Sequence, residues 1–176
     1  MKIRILLFLT IIMACEKSPL ERDVEIFTDS NVKLMLDSMV NVHSEESFSE
    51  RKPYLYISYV DSNSSSGCEL SHFSDWDEVR HNTDTLKYDH IFIVRPKRNE
   101  IGQVIEKVGT GILSDFNVFV DTTDIFERSN PQLPKNKLLH TFMLDSLHNM
   151  VLVGSPVANK KLEELLRDVL SNRKIH

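Results

Sequence analysis

Between Tyr54 and Val153 the sequence alternates short runs of aromatic and β-branched residues with apolar stripes of helical spacing, and this alternation most limits how the chain can fold. Tyr54 to Val60, Tyr-Leu-Tyr-Ile-Ser-Tyr-Val, has the length and composition of a buried strand, and the Ser-rich stretch from Asp61 to Gly67 is turn-like. Leu70, Phe73, Trp76 and Val79 then supply the inner face of a predicted helix through Arg80, with Ser66 and Glu69 at capping-box spacing. Ile91 to Val94 predicts a second strand, and Ile101, Val104, Ile105 and Val108 predict a helix with Gly109 as its stop. Phe116 to Val120 reads as a third strand ending in Asp121, followed by a short helix over 123–128 and a loop from Asn130 to Pro134. Leu138 to Leu144 and Met150 to Val153 read as a hairpin around a turn from Asp145 to Asn149. A terminal helix capped by Asn159 carries Leu162, Leu165, Leu166, Val169 and Leu170 on one side. Ahead of these elements, Val32, Met35, Leu36, Met39 and Val40 fall at helical spacing and predict a helix capped by Asp29 or Ser30. Strands that alternate with helices pair in parallel, and a closing hairpin adds an antiparallel edge. The expected class is therefore α/β, with a mixed central sheet covered on both faces.

The amino terminus has a separate logic. Lys2 and Arg4 precede an apolar run from Ile5 to Met13, and Ala14 precedes Cys15. Such a run covers only about 14 Å as a helix, against about 30 Å for a bilayer core, so it reads as a signal peptide and not a permanent span. Ile12-Met13-Ala14-Cys15 resembles the bacterial lipobox, whose cysteine receives a diacylglyceryl group before cleavage; the alternative is an ordinary secretory peptide cut elsewhere. The resemblance implies a signal over 1–14, a lipidated tether over 15–23 and one domain over 24–176. It also implies a place in the bacterial cell envelope, anchored to a membrane through Cys15 and facing the periplasm. Cleavage leaves 162 of the 176 residues, with 19 basic against 26 acidic side chains and a net charge of −7. A surface of that sign, with no basic stripe, excludes nucleic acid as a partner. Export permits disulfides, yet the cysteines are Cys15 and Cys68 alone. With lipid on Cys15, any disulfide of Cys68 is made with another molecule.

The order of elements resembles the thioredoxin fold, in the form used by membrane-anchored thiol-disulfide oxidoreductases of the TlpA and ResA type. In that family a strand runs into a Cys-x-x-Cys loop at the start of a helix. Here Tyr54 to Val60 is similar to that strand, and Ser65-Ser66-Gly67-Cys68 occupies the place of the loop. Phe116 to Asp121 is similar to the family's inserted strand, and Thr141 to Asp145 to the strand that follows a cis-proline. The resemblance spans about residues 50–172 and implies a three-layer α/β/α sandwich with no cofactor. It also implies a substrate groove formed by Ser66, Gly67, Leu139 and His140, which would hold an exported protein. Two departures fall on this one surface: Ser65 stands where the nucleophilic cysteine belongs, and Leu139 and His140 stand where the proline belongs.

Dithiol exchange needs a thiolate to attack and a second thiol to resolve the mixed disulfide. Ser65 cannot begin it, because a serine hydroxyl is not appreciably ionised at neutral pH and forms no disulfide. Cys68, in the resolving position, is open to two readings: a small buried core residue, or a single thiol for exchange or redox sensing. Cys68 and His72, four apart on a helix, have the spacing of two metal ligands, but two do not make a site, and His90 and His140 complete it only if the fold brings them near. Ser64, Ser65 or Ser66 with His72 and Asp75 have the residue types of a hydrolase, without the Gly-x-Ser-x-Gly elbow. The expectation is a thioredoxin-like envelope lipoprotein with a degenerate exchange motif. The rival is a non-catalytic module that holds an exported partner.

Overall fold

The aromatic and β-branched runs lie side by side as strands of one sheet, with the striped segments packed on it as helices. The computed structural model describes residues 17–42, 52–62, 75–110, 116–157 and 159–171. In chain order its elements are α1 (Pro19–Thr28), β1 (Val40–Asn41), β2 (Tyr54–Val60), α2 (Asp75–His81), β3 (Tyr88–Val94), α3 (Ile101–Thr110), β4 (Asn117–Val120), α4 (Ile125–Ser129), β5 (Thr141–Asp145), β6 (Met150–Val153) and α5 (Lys160–Leu170).

The strands are ordered β1-β4-β3-β2-β5-β6. β2 pairs in parallel with β3 from Tyr54↔Tyr88 to Val60↔Val94, and β3 pairs in parallel with β4. β5 is antiparallel to β2, β6 to β5 and β1 to β4. The units β2-α2-β3 and β3-α3-β4 step across the sheet in the same direction, so right-handed crossovers put both helices on one face. Trp76 and Val79 of α2, Val104 and Val108 of α3, and Leu166 and Leu170 of α5 accordingly share one core with Tyr56, Phe92 and Val118. On the other face Phe27 of α1 and Phe126 of α4 join Val32 and Leu34 over Ile57, Ile91, Phe142 and Leu144. The strands alternate as the pleat requires, Tyr56 and Val60 turning to the first core and Leu55, Ile57 and Tyr59 to the second. This is the three-layer α/β/α arrangement of a thioredoxin-like sandwich with a mixed sheet.

The elements depart from expectation in several places, and β3 begins at Tyr88, three residues before the predicted Ile91. Val32 to Val40 is not a helix. Val32 and Leu34 are buried and Lys33 and Met35 exposed, a period of two, and the Asn130 side chain bonds both the N–H and the carbonyl of Lys33 at 2.8 Å. A 3-10 turn at Leu36–Ser38 then leads into β1. The helix forms earlier, starting at Pro19 within the stretch read as tether, because Ser18 and Glu21 close a reciprocal capping box. β5 begins at Thr141 and not at Leu138, since Lys137–Leu139 form a 3-10 turn whose Leu138 N–H donates to the Asn136 side chain. α3 runs through Gly109 to Thr110, beyond the predicted stop. The predicted start of the helix ending near Arg80 lies outside the described residues.

Candidate functional site

In an open sheet the carboxyl ends of parallel strands, where successive connections diverge, are where ligands bind. That end of β2 carries Asp61, and across from it the chain enters β5. The Tyr59 N–H donates to the His140 carbonyl at 2.9 Å, and Ser58 is in register with Thr141, so Leu139 and His140 flank the last residues of β2. Ser65, Ser66, Gly67 and Cys68 lie outside the described residues, as do Cys15 and His72.

A cavity of about 400 Å³ opens here, with Asp61, Glu127, Asn130, Lys135, Lys137 and His140 among its walls. Asp61, after β2, and Lys137, in the turn before β5, form an ion pair of 3.0 Å that joins two walls, with the carboxylate side chain only 10 % exposed. Glu127 of α4 accepts from the Tyr59 hydroxyl at 2.9 Å and pairs with Arg95, which also holds Asp124. Burial, reinforced by Glu127, pushes the Tyr59 hydroxyl well above the usual phenol range, so it stays protonated and donates to Glu127. Asp124 adopts φ 59°, a left-handed conformation uncommon outside glycine, at the start of α4. The Asp121 carboxylate, buried at the end of β4, accepts from the N–H groups of Thr123, Ile125 and Phe126 and so sets the direction in which α4 leaves the sheet.

His140 is buried; its Nε2 lies 2.7 Å from the Pro134 carbonyl and its ring rests near that of Tyr59. A carbonyl only accepts, so Nε2 carries the proton and the imidazole holds the 130–140 loop against β2. Leu139 is buried as well, and no peptide bond among the described residues is cis. Of the two, His140 lines the cavity, held there by its hydrogen bond, while Leu139 packs in the interior.

His90 lies on the opposite face. Its ring is packed between Trp76 and Phe92, with centroids at 4.1 and 4.3 Å, and its Nε2 is 3.0 Å from the Ser58 hydroxyl. Among the described residues Nδ1 has no hydrogen-bond partner. Burial, with a smaller effect from the Arg80 charge, pushes the imidazole down to about 3, so it is neutral at ordinary pH. The sheet separates His90 from His140, which rules out the metal site that needed both. Among the described residues no three of His, Cys, Asp and Glu are grouped to hold a metal ion. Trp76 is a core residue, as its stripe predicted.

Asp61, Lys137, Glu127 and Arg95 were not singled out by sequence. Asp61 was legible as the residue that ends a strand before a Ser-rich loop. The others come from two connections, Arg95 after β3 and Glu127 and Lys137 between β4 and β5, and share no local signal. Fold and site together define a thioredoxin-like α/β/α domain with a polar cleft at the carboxyl end of its longest parallel pair. No protein-family model matches the chain, and no curated protein matches it. Among the described residues no helix is long and apolar enough to cross a membrane.

Proposed function

We propose that the chain is a thioredoxin-like lipoprotein of the bacterial cell envelope, anchored through Cys15 and related to the TlpA and ResA type of thiol-disulfide oxidoreductase. Ser65 takes the place of the nucleophile, so dithiol exchange does not run and Cys68 alone remains for thiol chemistry. The ligand of the cleft is a segment of an exported protein. The observation that carries this reading is the adjacency of the end of β2 to Leu139 and His140, beside a cavity that Asp61 and His140 line. A second reading, a binding module with no covalent step, is favoured by the ion pair between Asp61 and Lys137, which joins the cleft walls without any sulfur.

The test uses residues 17–176, which keep α1 whole and leave Cys68 as the single thiol. Thiol reagent is applied under native and then denaturing conditions, and mixed disulfides with exported proteins are sought. Native reactivity and trapped partners support single-thiol chemistry; a thiol that reacts only after denaturation leaves the binding module. In parallel, Ser65→Cys is expected to form an internal disulfide with Cys68 and to reduce insulin in the presence of dithiothreitol. Absence of that disulfide sinks the assignment of the motif.

A further inference from the structure

The stretch between Cys15 and the folded domain is shorter than the sequence implied. The Ser18 hydroxyl accepts from the Glu21 N–H at 3.2 Å, the Glu21 carboxylate accepts from the Ser18 N–H at 2.7 Å, and Lys17 pairs with Glu25 at 2.6 Å. The chain is thus engaged with α1 from Lys17 onward. Pro19 lies four residues after Cys15, and that stretch fully extended reaches about 14 Å. A domain of this length is roughly 40 Å across. A lipid on Cys15 therefore holds the start of α1 closer to the bilayer than half the width of the domain.

α1 presents apolar side chains outward. Phe27 is fully buried against Phe142, while Ile26 is 64 % exposed and Leu20 is 44 % exposed. Pro19, Arg22 and Ile26 follow one another at i, i+3 and i+7, so they share a side of the helix, with the cation set among apolar groups. Asp23, three residues before Ile26, borders that side; Glu21 and Glu25 lie on another, where Lys17 pairs with Glu25, and Leu20 lies beside the sheet-facing Phe27. The segment after α1 covers the same sheet face and exposes Met35, held at φ 50°. Of the seven exposed large hydrophobic side chains among the described residues, four fall in residues 17–42; Val40 is in register with Val120 of the opposite core, which leaves Leu20, Ile26 and Met35 in this layer.

We infer that the layer made by α1 and the segment after it rests on the bilayer that holds the Cys15 anchor, with Ile26 entering the lipid interface. This depends on the lipoprotein reading of Cys15 but not on any property of the cleft. The lipid chains provide the attachment; the helix face sets the orientation and removes the rotational freedom that a long tether would leave.

The full chain is expressed in a bacterium that processes lipoproteins, and the mature protein is placed in vesicles of phosphatidylethanolamine and phosphatidylglycerol with brominated acyl chains. Two variants, Ile26→Trp and Leu86→Trp, are compared with the unaltered protein, whose single tryptophan, Trp76, is 5 % exposed. Leu86 is 84 % exposed in the connection from α2 to β3, and α2 packs on the sheet face opposite α1, so it serves as the distant probe. The expected result is a blue shift of the emission added at position 26 and loss of most of it to bromine, with the emission at position 86 unquenched. Equal quenching of neither or both probes overturns the inference, as does a blue shift at position 26 without quenching, which signals protein cover. Intact mass decides where a failure lies: a chain without diacylglycerol on Cys15 removes the anchor and the inference together, whereas a lipidated chain with position 26 unquenched removes the inference alone.

Discussion

Single residues in this fold carry constraints that their chemistry makes measurable. Gly154 sits at φ +111°, where its carbonyl accepts from the buried Tyr56 hydroxyl at 2.7 Å, and a Cβ there would lie 2.6 Å from Leu162 Cδ1. Gly154→Ala combines backbone strain with overpacking and is expected to lower unfolding stability by about 1–3 kcal/mol in urea titration. Adding Leu162→Ala should recover part of the packing component but none of the backbone component. His90 makes a different prediction. Its pKa is about 3 in the folded protein against 6.5 for the ordinary group. Above pH 6.5 the imidazole is neutral in both states and contributes no pH dependence. Between 6.5 and 3 the unfolded chain binds a proton that the folded one refuses, so stability falls with pH by roughly 1.4 kcal/mol per unit, and the effect levels off below 3. Replacing His90 by Phe together with Ser58 by Ala removes both partners of the buried bond. Its unfolding free energy should decline less steeply than that of the unaltered protein between pH 7 and pH 4.5. An unchanged slope would mean that the folded protein protonates His90 readily.

At the scale of elements, α1 shows how a helix of ten residues is stabilised from both ends of its sequence. Its start is closed by Ser18, Pro19 and Glu21, and its end is tied to the sheet by Phe27, whose ring meets Phe142 edge-on at 5.1 Å. Phe27→Ala should cost about 3–5 kcal/mol and Ser18→Ala about 1 kcal/mol, both read from unfolding curves. Ile26→Ala, on the exposed side, should change the stability of the lipid-free chain by less than about 0.5 kcal/mol. Equal effects at positions 26 and 27 would place the wrong face against the sheet. Asn130 does comparable work for the segment after α1, binding Lys33 twice and the Phe126 carbonyl once. It clamps the amino-terminal layer to the loop that walls the cleft, which couples the layer proposed to meet the bilayer to the surface proposed to meet a partner.

For the whole molecule, β2 and β3 form the centre, with seven pairs in register and helices or packed chain over both faces. Their amides should exchange with solvent only on global unfolding, while those of the two-residue β1 exchange fastest among the strands, as hydrogen exchange will show. Much of this plan could be read in advance. The strands at 54–60, 91–94 and 150–153, the helix stripe from Ile101 and the Asn159 cap were legible because composition, period and capping chemistry act over a few residues. The same locality explains the error at Val32 to Val40, where Val32, Leu36 and Met39 fit a helix as readily as an extended chain. Pairing by a side chain ninety-seven positions away settled the matter. The cleft shows the limit most clearly. Sequence alone determined the order of elements from β2 onward and the small number of topologies that parallel strands allow. Only the tertiary structure decided that Asp61 meets Lys137, that Glu127 meets both Tyr59 and Arg95, and that the sheet divides His90 from His140. The physical reason is that ion pairs and shared cavities depend on which connections cross over the sheet, and no periodicity within a segment records that.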